Sequence, residues 1–211
     1  MTAAALTTAE RILAVGQEML QQRGFHAFSF RDIAARIDIR TASIHYYYPT
    51  KADLAAALLE RVRGQFEGAL QQFDTSLPDQ PVERLRRFAR IFLDTFGDGD
   101  RLCPFCMVAT GQDSIPEPAR AEVLAFWQRG EAWLTGTLEQ GAAQGSMSLA
   151  APPADVAATV IAGLEGAMVT ARAFGSRERL VSAADYLIAT LLAPGVTARS
   201  VAAELGEADS D

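Results

Sequence analysis

Residues 24–51 read GFHAFSFRDIAARIDIRTASIHYYYPTK, and this stretch decides the fold. Ser29 is a candidate N-cap for a short helix whose apolar side chains recur on one face. Residues 38–40 interrupt that pattern, and residues 41–47 form a second short helix that Pro49 ends. The stretch therefore predicts two short amphipathic helices joined by a tight turn.

Helical spacing continues on both sides of this stretch. Thr8 is expected to cap the first helix and Thr50 the fourth, whose apolar stripe runs to Leu70. A turn is expected between Asp74 and Pro81. No alternating pattern predicts a strand, so we expect an all-α fold. The nine predicted helices cover residues 8–24, 30–37, 41–47, 51–70, 82–97, 102–112, 117–144, 154–174 and 177–193.

Composition and charge narrow the class of protein. The chain is 49% hydrophobic and 21% charged, which is typical of a globular protein with a full core. We see neither a secretory leader nor a run approaching about 18 apolar residues, so we expect a cytoplasmic protein that does not enter a membrane. The net charge is −7, but residues 1–64 hold eight Lys and Arg against six Asp and Glu. An acidic body with a mildly basic head suits contact with a polyanion at one end.

The motif itself resembles a known family. Two short helices joined by a tight turn form a helix-turn-helix, whose second helix enters a DNA major groove. Residues 24–51 closely resemble the DNA-binding domain of the TetR/AcrR family of bacterial regulators. The family pattern is a Gly-aromatic pair, Thr/Ser-x-x-x-Ile-Ala, a Gly-Val-Ser turn, and an aromatic run before a Ser-Lys helix start. The matching positions are Gly24-Phe25, Ser29, Ile33-Ala34, the run from Ile44 to Tyr48, and Lys51 to Leu54.

Two positions depart from the family pattern. Asp38 stands in place of the turn glycine, and aspartate adopts the left-handed conformation more readily than most residues. Arg40 stands where the family has Ser or Thr at the start of the recognition helix. It loses a helix cap there and offers a phosphate or guanine contact instead.

The resemblance also implies roles for individual residues. Thr41, Ser43 and His45 are expected to face bases, with Arg31 and Arg40 as further candidates. The expected phosphate contacts are Ser29, Tyr46, Tyr47 and Lys51. Tyr48 is expected to pack in the core, and a surface histidine without a role is the alternative for His45.

For the C-terminal two-thirds, the resemblance implies a homodimer formed mostly by the last two long helices. Residues 157–168 are rich in Ala and Gly and would permit close approach of a partner helix. A tight contact within one chain is the alternative for about half of them. An effector cavity is expected between the long C-terminal helices and the helix that bears the two cysteines. Its expected lining is Phe92, Phe96, Cys103, Cys106, Met107, Trp127, Trp133 and Met168.

The segment Cys103-Pro104-Phe105-Cys106 leaves two interpretations open. A thioredoxin-like redox pair would need a βαβ pattern, which is missing from the sequence. A zinc site would need more ligands, and both histidines lie in the predicted head. The cysteines therefore either pack as small core residues or line the cavity, where a thiol could meet an electrophile.

These features together predict a ligand-responsive repressor that leaves a palindromic DNA operator when a small-molecule effector binds. The alternative is a constitutive DNA-binding protein or an activator without an effector. The sequence holds no Ser-His-Asp set and no nucleotide loop, so we expect neither an enzyme nor a cofactor or metal. The expected domains are a helix-turn-helix domain at 1–50, a helical ligand-binding and dimerisation domain at 51–194, and an acidic, disordered tail at 195–211.

Overall fold

The computed structural model describes residues 6–110 and 117–203, and these residues form nine α-helices and no strand. The all-α prediction is therefore confirmed for the described part of the chain. The helices are α1 (Thr8–Arg23), α2 (Phe30–Ile37), α3 (Thr41–Tyr47), α4 (Lys51–Ser76), α5 (Pro81–Phe96), α6 (Pro104–Ala109), α7 (Glu117–Ala143), α8 (Pro153–Phe174) and α9 (Arg177–Ala189).

Local signals in the sequence explain where the first two helices begin. Ser29 caps α2 as predicted, and its hydroxyl accepts from the backbone N–H of Asp32 while the Asp32 carboxylate accepts from the Ser29 backbone. The same reciprocal box starts α1, but the capping residue is Thr7, paired with Glu10. The prediction of Thr8 was wrong because the acidic partner must stand three residues after the cap.

Several helix ends differ from the predicted bounds, and α4 runs to Ser76, into the turn expected between Asp74 and Pro81. A single 3-10 turn at Phe25–Ala27, which periodicity does not predict, follows α1. Helix α6 begins at Pro104 rather than 102, because proline's fixed φ suits the first helical position. Its predicted end at residue 112 lies outside the described residues. Helix α9 ends at Ala189 instead of residue 193.

The described residues divide into two compact units, one within Met1–Glu67 and Asp100–Trp127, the other within Gly68–Gly99 and Gln128–Asp211. The predicted boundary after residue 50 does not coincide with this division, because the first half of α4 packs with the head. Gly16 of α1 permits that packing: a Cβ there would lie 3.4 Å from Leu58 Cδ1. The core of the first unit includes Ile12, Leu20, Ile33, Ile44, Leu54, Leu58 and Phe105, all at most 1% exposed.

In the second unit, α8 and α9 pack against each other and against α5. Gly163 of α8 lies at a close contact with α9, since a Cβ there would be 2.9 Å from Leu187 Cδ1. Helix α8 is also long and apolar enough, by length and composition alone, to span a membrane, which the sequence analysis overlooked. The core helix of a water-soluble protein meets the same test, and α8 buries Leu164 and Met168 in this unit.

The segment after α9 is packed rather than frayed. Val201 is fully buried, and its backbone N–H donates to the Asp185 carboxylate at 2.8 Å. From α5, Arg86 donates to the Ser200 carbonyl at 3.3 Å and Arg90 to the Val201 carbonyl at 3.0 Å. The prediction of disorder from residue 195 was therefore wrong for the part that ends at residue 203. Residues 204–211 lie outside the described residues.

Candidate nucleic-acid interface

The turn between α2 and α3 has the geometry of a helix-turn-helix. Asp38 ends α2 in the left-handed conformation, with φ 54° and ψ 57°. It is the one non-glycine residue of the described chain with positive φ. The backbone N–H groups of Asp38 and Ile39 both donate to the Ala34 carbonyl. These two bonds satisfy the Ala34 carbonyl at the C-terminal end of α2. The chain thereby turns between the two helices within three residues, as the sequence predicted.

Arg11 of α1 fixes the C-terminal end of α2. Its Nη2 donates to the Ile37 carbonyl at 2.7 Å, across 26 residues of sequence. A cation at a helix C-terminus satisfies a carbonyl that has no partner within the helix and also interacts favourably with the helix dipole. The sequence does not predict this role of Arg11, because nothing local distinguishes it from an ordinary surface arginine.

Helix α3 presents a polar face outward. Ile44 is fully buried and anchors the helix, whereas Tyr46 is 83% and Tyr47 is 42% exposed. Of the residues expected to face bases, Arg31, Arg40 and His45 are exposed, and Thr41 and Ser43 are half-buried. Arg40 is the N-cap of α3 and makes no side-chain capping bond, as expected from its replacement of Ser or Thr.

The three tyrosines at the end of α3 differ in their exposure to solvent, as their spacing predicts. Tyr46 and Tyr47 form an edge-to-face pair with ring centroids 5.2 Å apart. Tyr48 is half-buried, and this burial raises the pKa of its phenol. Two exposed phenols are thus held side by side at the surface, next to the predicted base-facing residues.

Lys51 lies in an aromatic cage that the sequence analysis did not predict. Its ammonium is 4.8 Å from the centroid of Phe25 and 4.5 Å from that of Phe28, and it donates to the Phe28 carbonyl. Burial lowers the pKa of this ammonium, and the charge of Asp32 opposes that effect. The cage brings Lys51 next to Ser29, whose hydroxyl donates to the Asp32 carboxylate at 2.6 Å. Lys51 therefore bonds to the residue just before Ser29, so the two expected phosphate contacts lie near each other.

The eight residues expected to line an effector cavity fall into both compact units. Phe92, Phe96, Trp133 and Met168 are buried in the second unit. Cys103 is buried and Cys106, Met107 and Trp127 are half-buried in the first. Three clefts in the described chain, of about 290, 330 and 460 Å³, have none of the eight in their linings. A single cavity lined by all eight stays a prediction.

The segment that carries the cysteines packs against the end of α1. Cys103 is the N-cap residue of α6, and both cysteines remain thiols. The Leu102 N–H donates to the Gln21 carbonyl at 3.1 Å. A Cβ built at Gly24, whose φ is +88°, would lie 3.4 Å from Met107 Cε. The cysteine segment therefore contacts the point where the chain enters the helix-turn-helix.

A polar cluster in the second unit was not predicted. Arg84 is 7% exposed, and its Nη1 donates to Asp74 Oδ1 at 2.9 Å. Trp133 Nε1 donates to the same oxygen at 2.9 Å, and the Trp133 ring stacks on Phe88 at 5.6 Å. Among the described residues, Arg84 Nε and Thr137 Oγ1 are buried without a hydrogen-bond partner. The sequence does carry one signal for this cluster, because Arg84 stands at a position of α5 where helical spacing places a buried side chain.

Comparison with known protein families identifies the class. The family description "Bacterial regulatory proteins, tetR family" matches residues 12–58, which include the helix-turn-helix. The description "Tetracyclin repressor-like, C-terminal domain" matches residues 81–187, just over half of the chain. The chain belongs to the TetR family of bacterial transcriptional regulators, and its N-terminal helices are a DNA-binding helix-turn-helix domain.

Individual relatives agree with this assignment. A TetR-family regulator from Agrobacterium tumefaciens superposes with a TM-score of 0.83 at 29% identity, covering 88% of this chain and 97% of that one. A TetR regulator from Legionella pneumophila gives 0.81 at 28% identity, covering 90% and 100%. The HTH-type transcriptional regulator EthR of Mycobacterium tuberculosis is 31% identical over 87 residues. That alignment spans 41% of this chain and only 40% of EthR.

Proposed function

We propose that this chain is a cytoplasmic repressor that binds a palindromic operator as a homodimer and leaves it when a small-molecule effector binds. The observation that carries the proposal is the outward face of α3, where exposed Tyr46 and Tyr47 adjoin Thr41 and Ser43. Phenols and hydroxyls at the surface of a recognition helix suit phosphate and base contacts. The large helical second unit suits a sensor, which a constitutive DNA-binding protein would not need.

The DNA contacts divide by position on the helix-turn-helix. We assign phosphate contacts to Ser29, Tyr46 and Tyr47 and to Lys51, which begins α4, where the dipole of that helix favours an anion. We assign base contacts to α3 and its start, with Arg31 of α2 beside them. The assigned base-facing residues are Arg31, Arg40, Thr41, Ser43 and His45.

This division is tested by measuring the affinity of single variants for duplexes of different sequence. Tyr47→Phe should weaken binding to all duplexes about equally, whereas Thr41→Ala should change the preferred sequence. Operator binding by Tyr47→Phe with unchanged affinity would contradict the phosphate assignment.

The proposed dimer interface is the outer stripe of α8. Ala158, Ala162 and Gly166 are exposed, and Val169 is 46% exposed in the single chain. An uncharged stripe of small residues allows a second helix to approach closely. Other predicted members of this surface, including Leu164, Ala167 and Met168, are buried within the chain itself, as the alternative interpretation held.

Two glycines form a matched pair for testing the interface. Gly64 in α4 and Gly166 in α8 are both exposed, and a Cβ at either would meet nothing within 4 Å. Gly166→Leu should therefore preserve the fold and weaken the dimer at least tenfold, whereas Gly64→Leu should leave it intact. Analytical ultracentrifugation at micromolar concentration measures both. A monomeric wild-type protein, with or without DNA, would contradict the dimer.

The proposed effector combines an apolar ring with a hydrogen-bond acceptor. The support is the second unit, where Phe92 and Trp133 are buried near a core rich in aromatic side chains. Arg84 Nε offers a buried donor that lacks a protein acceptor. Such a group is costly unless something else satisfies it, and the acceptor of a ligand would do so.

The decisive experiment for the sensor is a ligand screen on the full chain. Compounds that raise the melting temperature are tested for release of the protein from its operator. A ligand can shift this equilibrium only by its different affinity for the two states. Arg84→Met should weaken the response to carbonyl- or carboxylate-bearing hits more than the response to hits without an acceptor. A screen in which stabilising ligands never affect DNA binding would favour the constitutive alternative.

A further inference from the structure

His45 is held in a defined orientation at the surface of α3. Its Nδ1 lies 3.1 Å from the Pro49 carbonyl oxygen. Its ring meets that of Phe30 edge-to-face, with centroids 4.8 Å apart and an interplanar angle of 68°. Phe30 is 9% exposed and belongs to the core of the head. The imidazole is therefore supported on one side by the backbone and on another by a buried ring.

This contact decides which nitrogen carries the hydrogen. A carbonyl oxygen can only accept a hydrogen bond, so Nδ1 must be the donor. A neutral imidazole has a single N–H, and the other nitrogen is then an acceptor. The Pro49 carbonyl thus makes Nε2 the acceptor, and His45 as a whole is exposed.

The polarity of Nε2 restricts the base edges that His45 can read. In the major groove, cytosine N4 and adenine N6 are amino donors, whereas guanine offers N7 and O6 and thymine offers O4, all acceptors. We propose that His45 is a specificity-determining residue that recognises one amino-bearing base, cytosine or adenine, in each half-site. This inference rests on the proposed function, and in particular on α3 lying in the major groove.

The hydrogen position can be measured without DNA. Long-range ¹H–¹⁵N correlation spectra of the full chain at about pH 8.5 distinguish the two tautomers from each other and from the doubly protonated ring. The chain has only two histidines, so His26→Gln assigns the remaining signals to His45. We expect the hydrogen on Nδ1. A hydrogen on Nε2 would overturn the inference whatever the DNA experiments show.

The base preference is measured by selecting duplexes from a random library at the same pH. Wild type should select one base pair of each half-site through His45. Because every base pair carries one amino group in the major groove, that position is then rebuilt with purine for adenine or 2-pyrimidinone for cytosine, which lack the amino group, and wild type should bind the altered duplex roughly fivefold more weakly. The control His45→Phe keeps an aromatic ring against Phe30 but has no nitrogen. It should lose that preference while selecting the other positions as before.

The possible outcomes distinguish failure of the His45 assignment from failure of the proposed function. An enriched palindrome whose sequence preference is the same for wild type and His45→Phe would overturn the role of His45 and leave the proposed function standing. Equal affinity of wild type for the selected duplex and for the duplex without that amino group would overturn the assigned polarity. A library without any enriched site would overturn the proposed function and this inference with it.

Discussion

Asp38 provides a test of the turn that positions the recognition helix. Its φ of 54° lies in the left-handed region, where a Cβ crowds the following carbonyl. The two variants Asp38→Gly and Asp38→Ala remove the same carboxylate and differ only in the Cβ. Comparing them with each other therefore isolates the backbone strain from the change in charge.

The expected difference follows from two opposing effects. Left-handed strain in a residue with a Cβ costs about 1–2 kcal/mol. Glycine avoids this strain but lowers stability by about 0.4–1 kcal/mol, because it increases the conformational entropy of the unfolded chain. The Gly variant should thus be more stable than the Ala variant by about 1 kcal/mol. For a chain of this size, that shifts the melting temperature by roughly 2–4 °C.

Thermal unfolding followed by circular dichroism at equal protein concentration measures the difference. The Gly variant should also retain operator binding, because its turn geometry is preserved. An Ala variant that melts at or above the temperature of the Gly variant would refute the left-handed turn. The orientation of α3 derived from that turn would then need revision.

Three further predictions address other parts of the chain. Arg11→Met should lose the bond to the Ile37 carbonyl, destabilise the protein by about 1 kcal/mol and weaken operator binding; a salt dependence lowered by a full phosphate contact would instead place Arg11 on the DNA. Val201→Ala should lower the melting temperature by roughly 4–8 °C, because two buried methyl groups and their packing are worth about 2 kcal/mol; an unchanged melting temperature would mean that the C-terminal segment is not docked in solution. An α,β-unsaturated carbonyl should release wild type from DNA if Cys103 or Cys106 reacts, its thiolate adding to the β-carbon while the α-carbon takes up a proton; a double Cys→Ser variant that responds to every effector like wild type would leave both residues as packing groups.

Most of the fold could be predicted because its determinants are local. Capping residues, prolines and apolar spacing lie within a few positions of the helix ends that they define, as at Ser29 and Pro104. The left-handed conformation of Asp38 was likewise predictable, since it follows from one residue type at one turn position. The α3 residues that face outward follow from helical spacing around the buried Ile44.

Features that depend on distant residues could not be predicted in this way. The C-terminal segment docks through Arg86 and Arg90, which lie more than 100 residues earlier in the chain. The aromatic cage of Lys51 needs Phe25 and Phe28 at a turn whose geometry only the folded chain defines. The eight residues expected to line the effector cavity were chosen by residue type alone. Residue type does not determine which side chains lie together in the folded chain.

In the proposed mode of binding, two copies of this chain read a palindrome through α3. Sequencing of duplexes selected from a random library by the purified protein tests it most directly, with Thr41→Ala, Ser43→Ala as the control. We predict an enriched inverted repeat whose half-site centres lie one helical turn of DNA apart, about 34–36 Å, or a multiple of it. The double variant should bind duplexes but enrich a different or weaker repeat. Enrichment of single, unpaired half-sites, or the same repeat for both proteins, would contradict the claim.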